Sequence, residues 1–150
     1  MVHESLAVLE REMQALSRGA GAGSTFPPNC FLTMRGEFLE YESRTFLKVA
    51  FPVLDESLNP ARTMQGGFIT AAFDNTFGPL SYLAARCPCM TLDLHTQFVR
   101  PVSAGDRLTV TAKVVSRSAR TMYLSAMAFD ANEKLVATCG ANMVLTTPQV

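Results

Sequence analysis

Chemical reactivity in this chain is indicated first by two glycines and one acid. A short apolar run separates them. Gly66 and Gly67 precede the apolar run 68–73, and Asp74 follows it. The run is typical of a buried helix, where a carboxylate is rare unless it is paired or functional. Glycines at a helix start offer backbone N–H groups at the positive end of the helix dipole. The pattern therefore predicts an electropositive helix start followed, two turns later, by a functional acid.

The overall composition limits the class of protein. A length of 150 residues predicts one domain with a real core. Hydrophobic residues make up 48% and charged residues 17%, which favours an oligomer that covers apolar surface. Thirteen basic residues balance thirteen acidic ones, so neither a nucleic-acid groove nor a polybasic membrane surface is indicated. With no signal-peptide pattern and no membrane-length apolar run, we expect a cytoplasmic protein.

The cysteines do not form a recognisable framework. Cys30, Cys87, Cys89 and Cys139 lack the spacing of a small disulfide-bonded scaffold. A metal at Cys87-Pro88-Cys89 would need further ligands, and His95 and Cys139 do not complete a zinc spacing. We therefore expect no metal, and reduced thiols near the surface of a loop.

The N-terminal part of the chain predicts a helix and a linker before the main domain. Apolar residues recur at three- and four-residue steps over 2–17, which indicates an amphipathic helix. The glycine-rich segment 18–24 is typical of a flexible linker. Residues 1–29 are accordingly assigned to the N-terminal helix and linker, and residues 30–150 to the main domain.

The main domain reads as two strands, one long helix and four more strands. Strand patterns cover roughly 31–41 and 45–51 before the helix, and 91–99, 108–115, 121–129 and 134–145 after it. The helix, about 66–85, is apolar almost all round and is therefore expected to be buried. Pro79 inside it predicts a kink or break near Gly78. Hairpin-linked strands predict an antiparallel meander, so the class is α+β with a sheet around one helix.

Several segments resemble the hot-dog acyl-CoA thioesterases, the PaaI-like branch of the 4-hydroxybenzoyl-CoA thioesterase superfamily. Gln65-Gly66-Gly67-x6-Asp74 is similar to the branch's His-Gly-Gly-x6-Asp motif, and Asn59 lies where the branch often places an asparagine. Residues 91–101 resemble its third strand, and Gly105-Asp106 and residues 135–145 continue the match. The resemblance covers roughly 45–147 and implies a hot-dog fold, in which the antiparallel sheet wraps around the long helix.

The resemblance implies hydrolysis of an acyl-CoA thioester, with coenzyme A as part of the substrate and no other cofactor. A Gly66 N–H would polarise the thioester carbonyl, and Asp74 would act as general base or nucleophile. Asn59 would orient a water or side chain, and Thr91 matches a residue that holds the water in related enzymes.

The family places this active site between two subunits, and the helix spacing agrees. Asp74 lies about two turns, or roughly 10 Å, from Gly67, so one chain's glycine and acid do not meet on one thioester. The resemblance therefore implies a homodimer joined edge to edge, or a homotetramer built as a dimer of dimers.

One departure from the motif concerns the proton chemistry. Gln65 replaces a histidine, and glutamine forms hydrogen bonds but does not titrate.

Gly67 is assigned to substrate binding, and Arg117 and Arg120, in a hairpin, to the phosphates of coenzyme A. The alternative is that these two arginines lie at a solvated hairpin tip and bind no phosphate.

Two other functions stay open at this point. A hydratase or dehydratase needs a histidine paired with an acid at the helix, and the chain has only His3 and His95. A non-catalytic acyl-CoA-binding or sensing domain would use the same slot without turnover.

Overall fold

The structure is a computed structural model that describes residues 2–19 and 26–146. Helix α1 covers Val2–Gly19, two residues beyond the predicted range. It packs through Leu9, which is fully buried. The predicted linker was wrong at its start, since Arg18 and Gly19 still belong to α1. The rest of the linker lies outside the described residues.

The segment before the first strand is helical, which corrects the predicted strand over 31–41. Helix α2 covers Asn29–Thr33, and strand β1 covers only Glu37–Glu42. Pro28 stands at the N-cap with extended backbone (φ −70°, ψ 160°), and one helical turn follows it. The ring of Phe31 then folds over Gly36, where an added Cβ would lie 2.6 Å from the ring. Glycine at this position therefore lets the short helix pack against the turn that enters the sheet.

The sheet has six antiparallel strands in the order β1-β2-β4-β5-β6-β3. The remaining strands are β2 (Phe46–Pro52), β3 (Cys89–Phe98), β4 (Arg107–Arg117), β5 (Thr121–Phe129) and β6 (Leu135–Leu145). The predicted meander of β4, β5 and β6 is confirmed. Strand β3 joins this meander at β6, so β1 and β3 are the two edges of the sheet.

Helix α3 covers Gly66–Ala85, the range that the apolar pattern predicts. Phe73, Phe77 and Leu80 are fully buried in the core that the helix shares with the sheet. The helix continues through Pro79, so the predicted break near Gly78 was wrong, while the alternative of a kink stays a prediction. Proline removes one hydrogen bond from the helix, and burial of the side chains on both sides of it compensates for that loss.

The cysteines differ from expectation in their burial. Cys89 and Cys139 are buried under the sheet and helix rather than lying at a loop surface, while Cys30 is exposed and Cys87 is half-buried. Burial raises the pKa of the Cys89 thiol to about 11, so this thiol stays protonated at neutral pH. None of the helices in the described part of the chain is long and apolar enough to cross a membrane.

Candidate active site

The loop before α3 is held by the side chain of Asn59. Its Oδ1 accepts hydrogen bonds from the N–H groups of Ala61 (3.0 Å) and Thr63 (3.1 Å). Its Nδ2 donates to the Thr63 hydroxyl at 2.8 Å. Asn59 thus binds both ends of its own turn, which fixes the path of the chain into the helix. Its predicted role toward a catalytic water stays a prediction.

Gln65 begins the helix through its backbone rather than through its side chain. Its backbone is extended (φ −64°, ψ 141°), its N–H donates to the Ser57 carbonyl at 2.8 Å, and its side chain makes no capping hydrogen bond. Its carbonyl oxygen accepts the N–H of Phe68 at 2.9 Å. Within residues 26–146, the N–H groups of Gly66 and Gly67 donate no hydrogen bond. The helix start therefore presents two free donors, as the glycine pair predicts.

Each glycine allows a side chain to lie close to the helix start. An added Cβ on Gly66 would lie 3.0 Å from the ring of Phe98, and one on Gly67 would lie 2.8 Å from Oε1 of Gln65. An open groove of about 290 Å³ lies beside them. It is lined by Met64, Gly66, Ile69, Phe98, Val99, Arg100 and Pro101. The groove is mainly apolar, and Arg100, which also donates to the Leu135 carbonyl at 3.1 Å, is its one charged residue.

Asp74 is held by a hydroxyl from the neighbouring edge strand. Thr91 Oγ1 on β3 donates to Asp74 Oδ1 at 3.0 Å. Asp74 is half-buried in the single chain, so the expectation of an enclosed carboxylate was wrong. The physical reason is position: Asp74 lies on the side of α3 that faces the open sheet edge rather than the core. The structure thus brings together Asp74 and Thr91, two of the predicted site residues.

The glycines and the acid are too far apart to act on one bond within one chain. Eight residues separate Gly66 from Asp74 along α3, which corresponds to about 12 Å of helix. A thioester carbonyl and the group that attacks its carbon must lie within about 3–3.5 Å of each other. The predicted site residues therefore form two separate groups on one face of one helix, and these groups are called half-sites below.

The predicted coenzyme A arginines lie toward the other end of α3. Arg117 Nη1 donates to the Ala84 carbonyl at 2.5 Å, and Arg44 Nη2 donates to the same oxygen at 3.0 Å. Two cations at the helix C-terminus stabilise its negative end. Arg120 is exposed in the adjacent hairpin. Contacts of Arg117 and Arg120 with phosphates stay predictions. Arg117 also has a structural role, since it binds the C-terminal end of α3.

His95 does not meet the requirement of a hydratase. Its side chain is exposed, and its Nε2 lies 3.5 Å from Asp93 Oδ1 on the outer side of β3. Asp93 also accepts a hydrogen bond from Asn142 Nδ2 at 3.0 Å. The side chain of His3 lies outside the described residues. No histidine in the described part of the chain is paired with the acid of α3.

Two hydroxyls that sequence reasoning missed lie between the half-sites. The Thr70 and Thr96 hydroxyls are 3.0 Å apart, and the Thr96 hydroxyl lies 3.5 Å from Cys139 Sγ. Thr70 is four residues before Asp74 and four after Gly66, so all three share one helix face. That spacing was visible in the sequence, but the contact of Thr70 with β3 was not.

Comparison with known proteins identifies the family. The model of the thioesterase superfamily matches residues 62–137, a range that contains both glycines, Asp74 and Thr91. The chain therefore belongs to the thioesterase superfamily. It is a thioesterase with a hot-dog fold, and its resemblance to the PaaI-like branch is confirmed.

The solved structures that resemble this chain include two PaaI proteins. PaaI of the Escherichia coli phenylacetic acid degradation operon is 19% identical, with a TM-score of 0.78, over 93% of this chain and 96% of that one. A mutant of PaaI from Thermus thermophilus is 26% identical, with a TM-score of 0.71, over 77% of this chain and 97% of that one.

A third structure holds a ligand. A Streptococcus mutans protein bound to acetyl CoA is 20% identical, with a TM-score of 0.71, over 87% of this chain and 98% of that one. No curated protein matches the chain.

Proposed function

We propose that this thioesterase hydrolyses an acyl-CoA thioester to the free acid and coenzyme A. Asp74 acts as general base or nucleophile, and the Gly66 N–H polarises the thioester carbonyl. One observation carries the proposal. Helix α3 begins with two free N–H groups and also carries the Asp74 carboxylate, which Thr91 of β3 holds by a hydrogen bond. The structural relative that binds acetyl CoA supports coenzyme A as the thiol part of the substrate.

The proposed groups complete the reaction by either of two routes. As a base, Asp74 takes a proton from water, whose oxygen attacks the thioester carbon. As a nucleophile, the carboxylate attacks the carbon directly, and water then hydrolyses the resulting anhydride. In both routes the carbonyl oxygen gains negative charge beside the Gly66 N–H, and the C–S bond breaks. In the base route the coenzyme A sulfur takes the proton that Asp74 removed from water, and because Gln65 does not titrate, Asp74 carries that proton itself. In the nucleophile route the thiolate leaves and takes a proton from water, and hydrolysis of the anhydride regenerates the Asp74 carboxylate.

The site is proposed to form between two copies of the chain. The distance of about 12 Å between Gly66 and Asp74 prevents their cooperation within one chain. Strand β3, which runs beside both half-sites, is an edge of the sheet and is free to pair with β3 of a second copy. Edge-to-edge pairing brings Gly66 of one chain toward Asp74 of the other. A dimer of dimers and a cytoplasmic location stay predictions.

A thiol-release assay with a panel of acyl-CoAs tests the activity. We expect Asp74→Asn to lower kcat about 10²–10⁴-fold while the protein stays folded, because the neutral amide neither accepts a proton nor attacks. Glu37→Gln is the matched control: it removes an exposed carboxylate on β1, at the opposite edge of the sheet, and should leave kcat near the wild-type value. Wild-type hydrolysis by Asp74→Asn would contradict the mechanism.

The Gly66 N–H is tested by a proline that the backbone accepts. Gly66 is the first helical residue, and Gln65 already has the extended backbone that a residue before proline requires. Gly66→Pro removes the N–H, so we expect kcat to fall about 10²–10³-fold. Gly66→Ala, which adds a Cβ but keeps the donor, should lose far less activity.

Mixing the two inactive variants tests whether the site is shared. A mixed dimer of Gly66→Pro and Asp74→Asn chains contains one site with both residues intact and one site with neither. Random exchange after brief unfolding and refolding should therefore restore about a quarter of wild-type activity. If both groups acted within one chain, the mixture would stay inactive.

A further inference from the structure

The accessible face of α3 carries three functional positions at equal spacing. Gly66, Thr70 and Asp74 follow one another every four residues, and all three are half-buried in the single chain. Each lies against the edge strand β3, through Phe98, Thr96 and Thr91 respectively. Thr70 is therefore the midpoint of the segment that joins the two half-sites.

Symmetry gives this midpoint a defined place in a dimer. In a two-fold interface, a contact between two different residues occurs twice, once in each direction. If Gly66 faces the partner's Asp74, then Asp74 faces the partner's Gly66, and the two helices run antiparallel past each other. Thr70, which is four residues from each end, must then lie next to the partner's Thr70. The two-fold axis passes between them.

The side chains of this face permit such an approach. Gly67 and Ala71 flank the midpoint and leave the backbone accessible. Packed helices lie about 8–10 Å apart, and the shorter distances require small side chains at the contact. Most of the remaining side chains of α3 are buried, including the polar Asn75, Thr76 and Ser81, while Phe68 near its start is 39% exposed. The face at Thr70 lies against β3 and is only half covered by the chain's own sheet.

The hydroxyls have hydrogen-bonding capacity left for a partner. A threonine hydroxyl donates one hydrogen bond and accepts two. Within the described residues, Thr70 shares one bond with Thr96, and Thr96 also approaches Cys139 Sγ. Each Thr70 hydroxyl is therefore able to bond with its copy across the axis while Thr96 holds its orientation.

We infer that Thr70, held by Thr96, lies on the two-fold axis of the dimer and sets the distance between Gly66 of one chain and Asp74 of the other. The occupant of this face is a second copy of the chain. Thr70 is a positioning residue, since it acts on the reacting groups through the spacing of the two helices. This inference rests on the shared site of the proposed function and adds the register of the two chains.

A cross-linking experiment tests the register. Thr70→Cys is made in a background in which Cys30, Cys87 and Cys139 are serine, and the protein is oxidised or treated with a short bismaleimide. We expect most of the chain to form a covalent dimer on a non-reducing gel. Ala119→Cys, exposed in the β4–β5 hairpin, is the matched control and should form little. If Thr70→Cys does not fold, Ala71→Cys, beside the axis, replaces it in the same test.

The outcomes separate this inference from the proposed function. Failure to cross-link, in a protein that light scattering shows to be a dimer and that hydrolyses acyl-CoA, overturns the axis position and leaves the proposed function standing. A monomer that hydrolyses acyl-CoA overturns both the axis position and the shared site. A cross-linked dimer in a protein whose wild-type form releases no thiol supports the register while the proposed function fails.

Kinetics test the positioning role of the hydroxyl. Thr70→Val keeps the shape but removes the hydroxyl, and we expect kcat to fall about tenfold with little change in KM, because the reacting groups are misplaced after substrate has bound. Thr70→Ser should recover most of the rate. Equal rates for the valine, serine and wild-type proteins would overturn the positioning role.

Discussion

The two edges of the sheet differ: α1 covers the β1 edge, and the β3 edge is open. At the β1 edge, the Tyr41 N–H donates to the Ser5 hydroxyl of α1 at 3.2 Å, and the Tyr41 hydroxyl donates to Glu12 Oε2 at 2.5 Å. Ser43 donates to the other Glu12 oxygen at 2.6 Å. At the β3 edge, four apolar side chains are more than half exposed. They are Met90, Leu92, Phe98 and Val99, the last just beyond the strand.

The covered β1 edge contributes to stability, whereas the open β3 edge lies beside the predicted site residues. An edge strand with exposed apolar residues favours pairing with another chain, and proteins usually protect such an edge. Helix α1 covers part of β1 within the chain. Strand β3 carries Thr91 and runs beside Asp74 and Gly66, so the unprotected edge is also the edge where the half-sites lie. This open edge is the one at which we propose that a second copy completes the site.

Among changes at the two sheet edges, the largest effect is expected from a charge placed on the open β3 edge. Leu92→Asp puts a carboxylate on a side chain that is 60% exposed in the single chain, so the monomer should stay folded. Burial of an unpaired charge between two copies is unfavourable, and we expect a monomer with at least a hundredfold loss of activity. Light scattering and the thiol-release assay measure the two effects.

A matched control uses the same change elsewhere on the sheet. Met127→Asp, on the outer face of β5, is 48% exposed and should leave the dimer and its activity in place. A fully active monomer of Leu92→Asp would show that the open edge is not needed for the site.

A smaller effect is expected where the open edge touches the acid. Thr91→Val removes the hydroxyl that donates to Asp74, and a hydrogen bond to a charged group contributes about 1.5–3 kcal/mol. If the lower value is lost from the transition state, kcat falls about tenfold. Thr91→Ser should retain most of the rate. Identical steady-state kinetics of the valine and serine variants would show that this contact does not position Asp74.

The smallest effect on activity is expected at the closed edge. Tyr41→Phe leaves Glu12 Oε2 without its donor and the Arg44 N–H without its acceptor, and we expect the free energy of unfolding to fall by about 1–2 kcal/mol. The kcat of the folded protein should not change, because no group of the site is touched. Denaturant unfolding and the thiol-release assay, run side by side, measure both quantities.

The same tyrosine gives the closed edge a pH dependence. Burial, and next the hydrogen bond to Glu12, raise the pKa of Tyr41 to about 12 from its ordinary value of 10. The folded state therefore favours the protonated phenol. Its contribution to stability is complete below pH 10 and is lost as the pH rises toward 12. Wild-type protein should lose more stability than Tyr41→Phe over this window. Parallel curves for the two proteins would contradict this assignment.

The sequence predicted the parts of the site that depend on local spacing. The bounds of α3, its burial and the two-turn separation of the glycines from Asp74 follow from an apolar run with a helical period and glycines at its start. The distance that leads us to propose a shared site follows from helix geometry alone. The short helix α2 was missed, because its one turn of mixed residues has the same apolar density as a strand.

The chemical groups of α3 follow from the order of its residues: two N–H groups at the helix start and one acid two turns later, with no titrating group at Gln65. The contacts of these groups follow from how the chain folds. Thr91 reaches Asp74 across 17 positions, and Arg117 reaches Ala84 across 33, through the pairing of strands that are distant in the chain. Such contacts depend on sheet order and register, which local periodicity does not encode. The open β3 edge arises in the same way, because a strand becomes an edge only when the other strands have found their neighbours.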